Sequence, residues 1–157
     1  MDIGLALETF RFDNEKCWFE MCLKCTQFPS VNSMYGINVG TGAVYKDERT
    51  ILFENELKEQ IAYCDPLKHC TWIDSFIAYG WTMNFILKQS FWSRDVSNMV
   101  KSPEDVIFRS IGINDARVVE GKMYKSYKPG RYERLIVRVF SSDFRSEERR
   151  VGKECRS

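Results

Sequence analysis

Two aspartates raise the first chemical question. Asp95 stands in SRDVSNMVKSPED, at the end of an expected strand, and Asp115 stands in GINDARVV, just after an expected helix. If a sheet edge brings the two together, their oxygens suit a hard divalent cation. The competing reading gives each a local task, Asp95 capping a helix and Asp115 sitting in a turn. Spacing alone favours the local tasks.

The elements that must position these residues are legible in outline. In KCWFEMCLKCTQF, Cys17, Phe19, Met21, Leu23 and Cys25 alternate with Trp18, Glu20, Cys22 and Lys24, which predicts a strand. Cys22 and Cys25 then point to opposite faces, so zinc shared with Cys64, His69 or Cys70 is disfavoured against small residues filling a core. His69 is expected in a loop, with no nucleophile to pair with. The stretch INVGTGAVYKD reads as a hairpin or loop closure around Gly40-Thr41-Gly42; its glycines match neither nucleotide-binding fingerprint.

From Thr50, ILFENELKEQIAYC predicts a surface helix with Ile51, Leu52, Leu57, Ile61 and Ala62 inward and Glu54, Glu56, Lys58 and Glu59 outward, ended by Asp65-Pro66. WTMNFILKQSF fits a strand, although Trp72, Phe76, Tyr79, Met83 and Ile86 recur at helical spacing. Ser102-Pro103-Glu104-Asp105 predicts a helix start with Ser102 as cap and the acids near the positive dipole end, and Gly112 stops that helix. ARVVEGKMYKSY and YERLIVRVF complete the pattern as two strands, the first open to a fold at Glu120-Gly121. The order predicts an α+β domain, a mixed β-sheet packed by two helices.

Composition narrows the function classes. The last thirteen residues, RSEERRVGKECRS, hold five of the 23 basic and three of the 22 acidic side chains, too charged to bury enough to offset ordering entropy. They read as a disordered tail or a basic nucleic-acid-binding arm, and they also resemble the translation of a sequencing-library adapter. Residues 145–157 are on that reading set aside as artefactual. What remains has 18 basic and 19 acidic residues, so a nucleic-acid site must be a local patch. Residues 16–144 suit one domain, preceded by an extension over residues 1–15. TWIDSFIAYGWTMNFILKQ is too polar for a membrane span, and MDIGLALETF lacks a basic leader region. Five cysteines outside the tail suit reduced thiols and a cytoplasmic setting.

Five blocks in order, FPSVNSMY, GAVYKDERTILFENELKEQI, SRDVSNMVKSPEDVI, GINDARVVEGK and RYERLIVRV, resemble the RusA family of Holliday-junction resolvases over roughly residues 16–140. The family pattern has a P-x-x-N-type turn, a tyrosine-bearing hairpin, a helix, an R-D-x-D-N-x-x-K block, a second helix and a D-A-x-hydrophobic turn. The resemblance implies Asp95 and Asp115 as catalytic metal-binding acids, Lys101 as the active-site lysine, and Arg94, Asn98 and Asn32 as flanking positions. Ser97 replaces the block's second aspartate and offers a hydroxyl without a charge.

The implied activity is magnesium-dependent cleavage of branched DNA by a homodimer in a phage or prophage setting, with two sites cutting a four-way junction symmetrically. Arg94, Lys101, Lys122, Lys125 and Lys128 would build the phosphate-binding patch. The alternatives are a binder of branched DNA that keeps the fold but has lost metal affinity at Ser97, and a winged-helix-like module made of the 103–111 helix and a hairpin after it.

Overall fold

The computed structural model describes residues 9–29, 35–74 and 78–142. Asn32 and the tail at 145–157 lie outside them. The strand over the cysteine run forms as β2 (Trp18–Cys25), paired with β1 (Thr9–Asp13) on one side. Part of the 1–15 extension is thus the sheet's first strand. A separate hairpin follows, β3 (Tyr35–Ile37) and β4 (Val44–Lys46), and then α1 (Glu48–Cys64) and the short α2 (Pro66–His69). The central strand is β5 (Tyr79–Leu87), which settles the helix–strand ambiguity there. α3 (Lys101–Ser110), β6 (Val118–Tyr127) and β7 (Glu133–Ser141) complete the domain.

The five-stranded sheet runs β1-β2-β7-β5-β6, antiparallel except for the parallel pair β5 and β6. This is the expected α+β architecture, with a mixed sheet and two principal helices. β5 lies between β6 and β7, so no hairpin follows α3 and the winged-helix reading fails on topology. Nor does β6 fold at Glu120-Gly121. It continues straight, and the register shift opposite Tyr79 and Gly80 leaves Val119 as a bulge.

Alternation assigns the faces of the sheet. Phe19, Met21 and Leu23 align with Val139, Val137 and Leu135 and then with Trp81, Met83 and Phe85, all buried in the core. α1 contributes Phe53, Leu57 and Ile61 to that core, and α3 contributes Val106, Ile107 and Phe108. Each fully buried aliphatic or aromatic side chain stabilises the fold by about 1.5–3 kcal/mol.

The inward face of α1 differs from the expected one. Ile51, Leu52 and Ala62 are exposed, whereas Glu54 and Glu56 are buried. Polar partners explain the rotation. Glu54 pairs with Lys46 at 2.9 Å, and Glu56 accepts from the Thr26 backbone N–H at 3.2 Å and hydroxyl at 2.8 Å. Gln60 meets β2 beyond its last pairing with β1: its carbonyl accepts from the Lys24 N–H at 2.8 Å, and its amide donates to the Lys24 carbonyl at 2.7 Å. A side-chain amide thereby satisfies both groups of a strand edge.

α3 also starts earlier than expected. Its cap position is Val100, without a side-chain cap bond, and Ser102 lies inside the helix with its hydroxyl buried and without a hydrogen-bond partner. A 3-10 turn over Val96–Asn98 leads the chain directly into the helix, which displaces Ser102 from the capping position. The other end is as expected. Gly112 has a φ of +72°, and the Ile113 N–H donates to the Phe108 carbonyl at 2.9 Å, the long bond of a Schellman stop.

Candidate metal and nucleic-acid site

The acidic group that forms at the junction of α3 and β6 differs from the one expected. Glu104 and Asp105, from the first half of α3, meet Asp115, which opens a 3-10 turn immediately before β6; their carboxylate oxygens lie within 4.8 Å of one another. Among the described residues this is the group of three or more potential metal ligands, and Asp95 is not in it. Hard oxygen donors at that separation fit a divalent cation such as magnesium, which accepts one or two carboxylates and keeps water on its remaining positions.

Local structure accounts for the convergence. The Schellman stop at Gly112 turns the chain back towards its own helix, and Asn114 caps the next turn by accepting from the Ala116 N–H at 2.9 Å. Glu104 is anchored from the sheet, since Trp81 Nε1 donates to its carboxylate at 2.7 Å. Gly121 makes that reach possible. A Cβ there would meet the Trp81 indole at 2.5 Å, so the absence of a side chain lets the ring lie across β6.

Electrostatics separate the three acids from ordinary surface carboxylates. Burial pushes the Glu104 carboxyl above its usual range; the Trp81 hydrogen bond opposes this, and the charges of Asp105 and Asp115 add to it. Lys101 pairs with Asp105 at 3.3 Å, one helical turn away. An open pocket of about 340 Å³ adjoins the group, lined by Asp105, Arg109, Asn114 and Asp115 among others.

Asp95 has the local task that spacing favoured. It caps the 3-10 turn, with Oδ1 accepting from the Ser97 N–H at 3.0 Å and the Ser97 hydroxyl at 2.8 Å. These two bonds, chiefly the hydroxyl's, hold its carboxyl below the usual range, and Lys125 adds to the effect. Ser97 therefore faces Asp95 as a donor. Asn98 is half-buried in the same turn, and its backbone N–H donates to the Asp95 carbonyl at 3.1 Å.

The expected phosphate contacts divide into two kinds. Arg94 is turned inward: its guanidinium forks onto Glu133 at 2.5 and 2.8 Å and also donates to the Phe28 carbonyl at 3.1 Å, with the side chain 14% exposed. This corrects its assignment as a surface phosphate contact, because the buried Glu133 claims the fork. Lys125 is likewise a brace, donating to the carbonyls of Phe91 at 2.7 Å and Arg94 at 2.9 Å. Lys122 and Lys128 are exposed, on β6 and just beyond it.

Sequence reasoning read Glu104 and Asp105 only as helix-dipole acids. Their pairing in the first turns of a helix, ten residues before another acid behind a glycine stop, was the available signal. No protein-family model matches the chain, and no curated protein matches it.

Proposed function

We propose that the chain is a magnesium-dependent, structure-selective endodeoxyribonuclease acting as a homodimer on branched DNA. The observation that carries the reading is the meeting of Glu104, Asp105 and Asp115 beside Lys101 at an open edge of the fold. Glu104, Asp105 and Asp115 would hold the cation. A bound magnesium ion supplies water activation and charge neutralisation at a phosphodiester. Lys101 sets a positive charge at the same rim, where it balances the carboxylates and attracts phosphate. Lys122 and Lys128 extend the positive potential along β6, which suits sequence-independent backbone contact.

β6 supports the dimer. It is a ten-residue edge strand with exposed Val119, Met123 and Tyr124, and such an edge is a ready template for a second copy. A two-fold axis would give two acidic groups for two symmetric cuts.

The test is incubation with a labelled four-way junction, with magnesium and with chelator. Symmetric nicks that need magnesium, and that fall at least about a hundredfold in Asp115→Asn with the fold intact, are the expected result. Cutting undiminished by Asp115→Asn overturns the assignment. Loss of cutting in Asp95→Asn but not in Glu104→Gln returns the cation to the set implied by the family resemblance. A junction that is bound and never cut identifies a branched-DNA binder.

A further inference from the structure

The turn between β5 and α3 displays an aromatic surface that the acidic site does not use. Trp92 is 91% exposed and Tyr127 57% exposed, with the half-buried Phe91 between them. Phe91 meets Trp92 edge-on at 4.9 Å between ring centroids, and Tyr127 at 6.5 Å. These rings, with Ser90 and Ser93, line an open cleft of about 500 Å³ at the C-terminal ends of the parallel strands β5 and β6.

The turn is held in shape. Ser90 adopts a φ of +57°, and its carbonyl accepts from the Ser93 N–H at 3.2 Å. Lys125 crosses from β6 with its ammonium 4.5 Å from the Phe91 ring centroid, and the Lys128 N–H donates to the Leu87 carbonyl at 2.9 Å. A tryptophan left almost wholly in water on a braced turn forgoes hydrophobic stabilisation, which suits a surface kept ready for a ligand.

Charge selects the ligand. The segments that flank the cleft, 88–95 and 122–132, contain Lys88, Arg94, Lys122, Lys125, Lys128 and Arg131 against one exposed acid, Asp95, which lies within reach of the Lys125 charge. The neighbouring Glu133 is fully buried and paired with Arg94. Planar rings surrounded by cations complement a chain of flat bases linked by phosphates. We infer that this cleft binds single-stranded nucleic acid, an unpaired base stacking on Trp92 and Tyr127 while Lys122, Lys128 and Arg131 contact its phosphates. The inference rests on the DNA reading above and deepens it by assigning the unpaired bases of a branched substrate to a surface separate from the acidic group.

Tryptophan fluorescence and anisotropy with a labelled oligothymidylate, in chelator so that no cleavage occurs, test the inference directly. Trp72 and Trp81 are buried and Trp18 is half-buried beneath Arg11 and Arg138, so Trp92 is the most exposed of the four, and the part of the quenching that disappears in Trp92→Ala is its own. Quenching in the parent protein, with binding by anisotropy weakened about tenfold or more in Trp92→Ala and largely kept in Trp92→Phe, supports stacking. Because Trp92 is exposed, an unchanged melting temperature in Trp92→Ala separates lost binding from lost fold. Parent-level affinity in both Trp92→Ala and Tyr127→Ala overturns the inference, as does a Trp92 signal that depends on protein concentration without oligonucleotide, which would assign the surface to a second copy. The junction assay is read separately: magnesium-dependent cutting with a silent Trp92 sinks this inference alone, and quenching without cutting sinks only the nuclease reading.

Discussion

Glu133 and the Glu104–Asp105–Asp115 group show two uses of carboxylate in one small domain. Glu133, at the start of β7, is fully buried and surrounded by donors: the N–H groups of Phe28 and Lys88 at 2.9 and 3.0 Å and both arms of the Arg94 guanidinium. It ties three segments together and has little capacity left for a ligand. Where α3 meets the start of β6, Glu104 has Trp81 and Asp105 has Lys101, but the three negative charges crowd one another. A buried acid matched by donors closes a fold. Crowded acids at a half-open edge leave charge for a cation to neutralise.

Breaking the first region has the largest expected effect. Glu133→Ala strands Arg94 and two backbone N–H groups and should lower unfolding stability by about 3–5 kcal/mol, measured by urea denaturation. A loss under about 1 kcal/mol would mean that the surroundings relax and water replaces the carboxylate. Asp115→Asn, in the second region, should change stability in the absence of metal by no more than about 0.5 kcal/mol.

Magnesium or manganese sharpens the contrast. A cation that binds only the folded chain raises the melting temperature, by the equivalent of about 2.7 kcal/mol at a hundred times its dissociation constant. Thermal melts of the parent protein should show this rise, and Asp115→Asn and Asp105→Asn should lack it. A full response in both variants would take the cation away from this group.

pH gives a smaller effect of definite sign. Because folding raises the Glu104 carboxyl above its unfolded value, its contribution is favourable at low pH and declines as pH rises from about 4.5 through the folded value. Glu104→Gln, which keeps an acceptor for Trp81, should therefore stabilise the metal-free protein at neutral pH, with the gain vanishing below about pH 4.5. Destabilisation at neutral pH would show that the charged hydrogen bond outweighs burial and crowding.

The smallest expected change concerns Asp95. Ser97→Ala removes the hydroxyl donor, the main cause of its lowered carboxyl, so an NMR titration of Asp95 should move upward while the fold stays unchanged. No movement would separate Ser97 from Asp95 in solution.

The elements at work in this comparison were legible to different degrees. β5 carried a competing helical spacing that only its place in the sheet settled, whereas β2 announces itself by alternation and Gly112 marks the end of α3, because these are local matters of side-chain period and backbone conformation. The hairpin at Gly40–Gly42 was legible for the same reason. The face of α1 was not, since Glu54 and Glu56 are inward only because Lys46 and Thr26 arrive as partners.

The two sites divide along the same line. Residue type raised Asp115 as a candidate although spacing favoured a turn, and the family resemblance, not spacing, implied Lys101 and the lysines of β6. Which acids share space with Asp115, and which cation is consumed by Glu133, depended on contacts between segments distant in sequence. The insertion of β5 between β6 and β7, the reach of Trp81 over Gly121 and the fork of Arg94 made those choices. A carboxylate's role follows from the number of donors that packing brings to it, and that number arises only when the sheet and α3 close on each other.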